Sequence, residues 1–205
     1  MSEFDAIVLA GGAARRLDGA DKPMQEVGGR PLLAHVLDAV AAAHTRVVVG
    51  PSRPGFDDVV WAREQPPGSG PVAAIAAALP LTSAPVVLVL AADLPHIAGA
   101  ITPLLNALGV DPLGTAAFGS SADVEKGPQV DAAVLETQGH LNYLAAAWRR
   151  DTLAAAVAAL GEPAGAPVRS LLARRRTIVV DDRAGWGVDV DTWEDLDSAR
   201  GEQHE

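Results

Sequence analysis

Short, uninterrupted runs of apolar residues alternate with segments of helical character along the first half of the chain. Four such runs predict strands, at residues 6–10, 46–50, 59–62 and 86–93. Residues 31–43 have apolar positions at helical spacing, and the Ala-rich residues 72–79 are also predicted to be helical. Strands without polar alternation are typically buried on both faces. The order of strand, helix and strand therefore favours right-handed βαβ units in a mainly parallel sheet.

The second half of the chain is less regular. Strands are predicted at residues 115–119, 128–136 and 177–181, and helices at residues 101–108, 141–160 and 168–175. The first two strands are expected to form a hairpin at one edge of the sheet, antiparallel to the rest. The Ala-rich segment 141–160 is interpreted as two helices or one broken helix. Residues 161–167 form a turn too short to separate domains, so we expect one α/β domain over residues 1–205.

One segment between a predicted strand and a predicted helix is distinguished by its chemistry. Residues 9–23, here called the glycine loop, read Leu-Ala-Gly-Gly-Ala-Ala-Arg-Arg-Leu-Asp-Gly-Ala-Asp-Lys-Pro. The glycines let the backbone approach a ligand closely and direct N–H groups at an anion. Arg15, Arg16 and Lys22 add positive charge, so the loop is suited to binding phosphate. Its spacing fits neither the dinucleotide-binding motif nor the P-loop.

Charge and composition disfavour several other classes of function. The chain has a formal net charge of −10, which disfavours a nucleic-acid-binding surface. It has no cysteine, which excludes thiol nucleophiles and zinc–thiolate sites. The first residues lack a signal-peptide pattern, and no apolar run approaches the ~20 residues that span a bilayer. We therefore expect a cytoplasmic protein that binds neither membrane nor nucleic acid.

Two acidic residues are candidate metal ligands. Asp93 is the last residue of the most apolar predicted strand, and a carboxylate there is well placed to hold Mg²⁺ beside bound phosphates. Asp93 could instead be the N-cap of the next helix. However, Pro95 follows it and that helix is predicted to begin nearer Ala98, so Asp93 lies too far before the helix for this role. Asp189 has no capping role and points away from the side chain of Val190 along a predicted strand, so it is the second candidate.

The glycine loop resembles the L-A-G-G-x-x-x-R-x-x-G-x-D-K signature of nucleotidyltransferases that activate a phosphate or phosphosugar with a nucleoside triphosphate. It is most similar to the MobA family of molybdenum cofactor guanylyltransferases, in which Arg-Arg-Leu/Met-x-Gly-x-Asp-Lys is usual. Gly70-Pro71, Asp93-x-Pro95 and the region of Asp189 also occur in the order of the family. The resemblance covers almost the full chain. It implies a three-layer, Rossmann-like nucleotidyltransferase fold with a mostly parallel, twisted sheet and an antiparallel edge hairpin.

The resemblance also implies a reaction. An enzyme of this family transfers GMP from GTP to the terminal phosphate of molybdopterin, uses Mg²⁺ and releases pyrophosphate; transient contacts with other proteins of cofactor biosynthesis are implied as well. Arg16 and Lys22 would bind the triphosphate and stabilise the charge that builds on it. Asp93 would hold the Mg²⁺, with Asp189 as a second ligand. The implied nucleotide-binding residues are Leu9, Ala10, Gly11, Gly12, Lys22, Gly50, Gln65, Gly70 and Asp93.

The chain departs from the family pattern at three places. Gln65 stands where relatives have the Asp of Glu-Asp-Pro, so an acidic contact to the nucleotide is lost or moves to Glu64. Gly50 stands where relatives often have Asn. Near the C-terminal end, Asp189 and Asp191 replace the two Asn of N-x-N-T-P-E-[DE]-L, which keeps an oxygen ligand but adds negative charge.

Three functions stay open at this point. The first is the guanylyltransferase. The second is a sister nucleotidyltransferase with another base or acceptor, such as CTP with molybdopterin, phospholactate or a sugar phosphate. The third is a nucleotide-binding regulator that does not turn over. The presence of both Lys22 and Asp93 disfavours the third, because a protein that only binds nucleotide has no need of a metal-binding carboxylate.

Overall fold

The computed structural model describes residues 4–12, 21–110 and 129–190. The strands in these residues are β1 (Phe4–Leu9), β2 (Glu26–Val27), β3 (Arg30–Pro31), β4 (Arg46–Val49), β5 (Val60–Ala62), β6 (Val86–Ala91), β7 (Ala132–Thr137), β8 (His140–Arg149) and β9 (Thr177–Asp182). The α-helices are α1 (Leu32–Ala39), α2 (Pro71–Ala78), α3 (Ala98–Asn106) and α4 (Arg150–Ala159). Short 3-10 helices lie at Lys22–Met24, Leu79–Leu81 and Val168–Leu172.

Seven of the strands form one sheet in the order β5-β4-β1-β6-β8-β7-β9. Strand β8 runs antiparallel to both neighbours, and the other neighbouring pairs are parallel. The apolar run of β1 lies at the centre, where Ile7 is paired with Val47 on one side and Val89 on the other. Strands β2 and β3 form a separate antiparallel pair.

Helices cover both faces of the sheet. The apolar sides of α1 and α3 pack on one face, and those of α2 and α4 pack on the other. Alternate residues of β1 are divided between these two cores, since Ala6 and Val8 belong to the first and Ile7 and Leu9 to the second. This division explains why the strand has no polar alternation. The predicted three-layer α/β fold with a mostly parallel sheet is confirmed.

The predicted helix over the first part of residues 141–160 is wrong. Residues 140–149 form strand β8, and α4 begins only at Arg150. The physical reason is that the backbone of this segment pairs with β6 on one side and β7 on the other, while Ala145, Ala146 and Ala147 are fully buried. An apolar run rich in alanine carries no period that separates a buried strand from a helix, so tertiary contacts decide.

The antiparallel hairpin is formed by β7 and β8, whose connecting residues Gln138 and Gly139 have φ angles of 53° and 78°. Positive φ at both positions is the geometry of a type I′ hairpin turn. The hairpin lies one strand in from the edge, because β9 pairs with the outer side of β7. The alternation of polar and apolar residues over 128–136 predicts a half-exposed strand, but β7 is buried over most of its length. The predicted strand 115–119 lies outside the described residues.

Smaller differences concern the ends of elements. Helix α1 begins after Pro31 and ends at Ala39, before residue 43. Residues 168–172 form a 3-10 helix, and residues 187–190 form no strand. In the part of the chain described by the structure, no helix has the length and apolar character needed to cross a bilayer.

Candidate active site

The glycine loop and the loop of Asp93 leave the sheet side by side. Strands β1 and β6 are parallel neighbours, and Leu9 at the end of β1 is paired with Ala91 at the end of β6. The amide of Ala92 donates to the carbonyl of Leu9 at 3.0 Å, which holds the two loops together where they begin. Carboxyl ends of parallel strands are where open α/β sheets bind ligands.

Lys22 and Asp93 meet at this edge. The Lys22 Nζ donates to the Asp93 Oδ2 at 2.5 Å, across 71 positions of sequence. Their side chains are 15% and 21% exposed, so the contact is largely screened from solvent. Lys22 begins a 3-10 turn that is closed by the amide of Met24 donating to the carbonyl of Asp21. The two residues predicted to act on the same polyphosphate thus share one site.

The second carboxylate oxygen of Asp93 fits a role in metal binding. Its Oδ1 is buried and has no hydrogen-bond partner among the residues that the structure describes. A buried carboxylate oxygen without a donor is costly unless a ligand satisfies it. In the described residues no group of three or more His, Asp or Glu side chains could hold a metal. One carboxylate completed by substrate phosphates and water is a usual coordination for Mg²⁺.

A cavity of about 570 Å³ opens beside Asp93. Its walls are made by the glycine loop, the ends of the adjacent strands and the start of α2. The residues lining it are Leu9, Gly11, Gly12, Val49, Glu64, Gly68, Gly70, Pro71, Ala74, Ala91, Asp93 and Leu144. Gly70 precedes α2 with a φ of 95°, and Pro71 follows at the first helical position. The N-terminal end of α2 therefore lines the cavity, and the backbone N–H groups at a helix N-terminus favour the binding of an anion.

Gly50 packs against residues 10 and 11 of the glycine loop, next to this cavity. Its φ is +154°, and a Cβ on this residue would lie 2.9 Å from the carbonyl carbon and oxygen of Ala10. The amide of Ala10 donates to Val49 and that of Gly50 to Ala62, so three neighbouring chain segments are bound together here. Gly50 is predicted to bind nucleotide; the structure places it against the backbone of the glycine loop.

Of the two residues considered for the acidic position, Glu64 lines the cavity and Gln65 is exposed beside it. The Glu64 side chain is buried, and its Oε1 accepts a hydrogen bond from the amide of Gly68 at 2.8 Å. This bond orders the turn that leads to Gly70. The nucleotide contact assigned to Gln65 stays a prediction, as does the transfer of that contact to Glu64.

Asp189 lies close to Asp93 along the backbone, but its side chain is exposed. The amide of the next residue, Val190, donates to the carbonyl of Asp93 at 3.1 Å. Asp189 lines a second cavity of about 540 Å³, which shares Leu144 with the first. Its role as a metal ligand stays a prediction. Arg16 lies outside the described residues.

Asp182 holds the segment that leads to Asp189. Burial opposes its charge, but hydrogen bonds from the amides of Gly187, Trp186 and Ala184 and from the Thr137 hydroxyl outweigh this effect. Together they lower the pKa of Asp182 below its usual 3.8. The carboxylate therefore stays ionised and fixes residues 184–187 at the end of β9.

Sequence reasoning missed Arg53, a buried cation at the base of the glycine loop. Its Nε and Nη2 donate to both carboxylate oxygens of Asp21, at 2.8 and 2.6 Å. Its Nη2 also donates to the carbonyl of Ala10 at 3.1 Å. The signal in the sequence is slight, since Arg53 and Asp21 are 32 positions apart.

Comparisons with known proteins agree with this geometry. The sequence model described as the MobA-like NTP transferase domain matches residues 6–179. A molybdenum cofactor guanylyltransferase from Burkholderia ambifaria is 30% identical over 202 residues, covering 93% of this chain and 92% of the relative.

Solved structures show the same fold at lower sequence identity. The 2-C-methyl-D-erythritol 4-phosphate cytidylyltransferase of Thermus thermophilus has a TM-score of 0.69 and 19% identity, with 97% of this chain and 98% of that chain covered. The molybdopterin-guanine dinucleotide biosynthesis protein A of Archaeoglobus fulgidus has a TM-score of 0.65 and 18% identity, with 97% and 98% covered.

Proposed function

Because this chain belongs to the MobA-like NTP transferase family, we propose that it transfers GMP from GTP to the terminal phosphate of molybdopterin, with Mg²⁺ as the metal and the cytoplasm as its compartment. It is a nucleotidyltransferase. The contact between Lys22 and Asp93 beside a cavity of about 570 Å³ carries the proposal. A cation and a carboxylate at one polyphosphate site are what nucleotidyl transfer requires.

The cavity would bind the nucleotide. Gly11 and Gly12 bring backbone next to the ligand without side chains in the way, and the start of α2 faces the same space. We assign the phosphates to this end, near Lys22 and Asp93. The base is assigned to the side near Glu64, whose buried carboxylate would accept hydrogen bonds from the donor edge of guanine.

In the proposed reaction, an oxygen of the acceptor phosphate attacks the α-phosphorus of GTP and forms a new P–O bond. The bond from the α-phosphorus to the bridging oxygen of the β-phosphate breaks, and pyrophosphate leaves with the electron pair. Lys22 balances negative charge on the phosphates as this happens, while Asp93, whose Oδ2 accepts from Lys22, would hold the divalent ion with its buried Oδ1. When bound, such an ion polarises the phosphoryl oxygens and neutralises the leaving pyrophosphate. Positioning and charge, rather than a proton relay, are therefore the main demands on this chain.

The contributions of Arg16 and Asp189 belong to the same proposal. Arg16 would add a second cation on the triphosphate. Asp189 lies one residue before the amide that binds the Asp93 carbonyl, and we assign its carboxylate as the second ligand of the metal.

A second candidate is the sister enzyme that uses CTP. It is favoured by Gly50 and Gln65, which replace the residues usual in guanylyltransferases at two positions implied to contact the nucleotide. The two candidates differ in the base and share the chemistry of the phosphates.

The reaction is tested with Lys22→Ala and Asp93→Ala. Each variant should lower Mg²⁺-dependent pyrophosphate release from GTP and molybdopterin by about a hundredfold or more, because each removes a charge at the reacting phosphates. Arg30→Ala and Asp38→Ala are matched controls, since these residues form an exposed ion pair elsewhere on the surface. The controls should retain wild-type rates. Unchanged rates in both site variants would exclude the proposed mechanism.

A further inference from the structure

Arg53 is unusual because a charged side chain is almost entirely buried without touching the cavity. The residue is 8% exposed and lies in the loop that follows β4. Arginine is rarely buried to this degree unless it is paired. Within the described part of the chain, its hydrogen-bond partners belong to the two loops at the base of the candidate site: Asp21, Ala10 and the carbonyl of Pro51.

The contacts of Arg53 join the two ends of the glycine loop. Ala10 lies where the loop leaves β1, and Asp21 lies where it reaches the turn of Lys22. One planar guanidinium binds both, through a two-pronged ion pair with Asp21 and a hydrogen bond to the Ala10 carbonyl. Such two-pronged pairs fix direction as well as distance. Residues 10 and 21 are thereby held at a set separation.

Asp21 passes this constraint on to Lys22. Its carbonyl accepts from the Met24 amide and so starts the 3-10 turn in which Lys22 stands. The side chain of Asp21 bonds to Arg53 while the next side chain reaches Asp93. A shift of Asp21 would therefore move the ammonium group of Lys22 relative to the Asp93 carboxylate.

We propose that Arg53 is a positioning residue that places Lys22 at Asp93 through the Asp21 carboxylate, and that it makes no contact with the nucleotide. The inference rests on the proposed function for its effect on turnover. Its effect on Lys22 itself needs no substrate. Arg53→Lys keeps the charge and most of the length but loses the two-pronged geometry, so it is the informative variant.

The first test measures how readily Lys22 reacts with an amine-modifying reagent. The chain has only two lysines, so Lys126 serves as an internal reference within each digest. Arg53→Lys and Asp21→Asn should each raise the modification rate of Lys22 relative to Lys126 several-fold, while the melting temperature shows that the fold persists. Arg46→Lys is the matched control, because Arg46 makes a comparable ion pair with Asp58 away from the cavity. An unchanged Lys22 rate in both site variants would overturn the inference.

The second test is a double-mutant comparison of pyrophosphate release. Arg53→Lys should lower kcat by about tenfold to a hundredfold in the wild-type background, as expected for a misplaced charge. In the Lys22→Ala background, Arg53→Lys should cause no further decrease in kcat, because the ammonium group that Arg53 positions is already absent. The same fractional loss in both backgrounds would instead mean a general structural role. If the wild-type chain released no pyrophosphate at all, the proposed function would fail while the lysine-modification test still decided the role of Arg53.

Discussion

At the scale of single residues, the site depends on two chain segments approaching more closely than side chains allow. Gly50 packs against the backbone of Ala10 and Gly11, where a Cβ would lie only 2.9–3.1 Å from main-chain atoms. Contacts this short between a Cβ and backbone cannot be relieved by a rotamer change. The carbonyl of Ala10 is also bound by Arg53, so displacement at Gly50 would strain that bond as well.

Gly50→Ala should therefore lower the free energy of unfolding by about 1–3 kcal/mol more than Gly55→Ala does. Gly55 also has a positive φ, of 85°, but a Cβ there would lie within 4 Å of no atom in residues 4–12, 21–110 and 129–190. The comparison separates the clash from the backbone strain that both substitutions share. Denaturant unfolding of the two variants measures the difference, and equal losses would contradict the close approach described for Gly50.

The residues of the site could be predicted from the sequence only where chemistry is carried by local spacing. Lys22 lies in a compact motif and Asp93 ends an obvious strand, so the sequence indicates both as candidates, and the structure brings their side chains into contact. Arg53 belongs to no motif. Its role depends on contacts with two residues, Asp21 and Ala10, which are 32 and 43 positions away in the sequence. Such contacts exist only once β4 and β1 are paired.

At the scale of elements, strand β8 shows the limit of hydrophobic patterning. Its buried centre is Ala145 to Trp148, a run that a helix and a strand could carry equally well. The position of the segment between β6 and β7 fixes it as a strand, since its backbone pairs with both of these strands. By contrast, the Val-rich runs of β4 and β6 predicted their strands correctly, because β-branched side chains pack well on a pleated sheet surface.

The segment that follows β9 depends on a single carboxylate. Asp182 accepts from the amides of Trp186 and Gly187 at 2.9 and 2.8 Å and from the Thr137 hydroxyl at 2.8 Å. Gly187 is itself packed so tightly that a Cβ would lie 2.4 Å from Thr137. The turn then leads to Val190, whose amide binds the carbonyl of Asp93. Asp182 thus orders an element that reaches the candidate site.

This network predicts how stability depends on pH. The hydrogen bonds that lower the pKa of Asp182 below 3.8 stabilise the fold while the group is ionised. That contribution is fully present above the unfolded pKa and is lost as the pH falls through the lower folded value. At neutral pH, Asp182→Asn should lower the free energy of unfolding by about 1–3 kcal/mol, because an amide cannot accept at both positions.

Below about pH 4, the difference between the wild type and Asp182→Asn should shrink, since the wild-type carboxyl also becomes protonated. Denaturant unfolding between pH 7 and pH 3 measures this convergence. Asp181→Asn is the control on the same strand, because Asp181 is exposed and pairs with the exposed Arg183. A constant difference across the range would show that ionisation of Asp182 does not stabilise the turn.

At the scale of the whole molecule, the site is assembled from elements spread over the chain. The glycine loop, the Gly70 turn, Asp93 and Leu144 come together only in the folded sheet, so the unfolded chain has no such cavity. The formal net charge of −10 adds a general repulsion toward an anionic ligand, which the local cation and helix end must overcome. A nucleotide that binds here should consequently bind the native state alone and stabilise it by mass action.

A ligand present at about 100 times its Kd should add about 2.7 kcal/mol, which corresponds to an increase in Tm of about 5–10 °C for a domain of this size. We expect GTP with Mg²⁺ to produce this increase and CTP, ATP and UTP to produce less. Thermal melting with each nucleotide at matched concentration measures the order. Lys22→Ala should lose most of the GTP effect, whereas Arg30→Ala, with its exposed partner Asp38, should keep it. A larger increase with CTP would assign the chain to the sister reaction, and no increase with any nucleotide would contradict binding at this cavity.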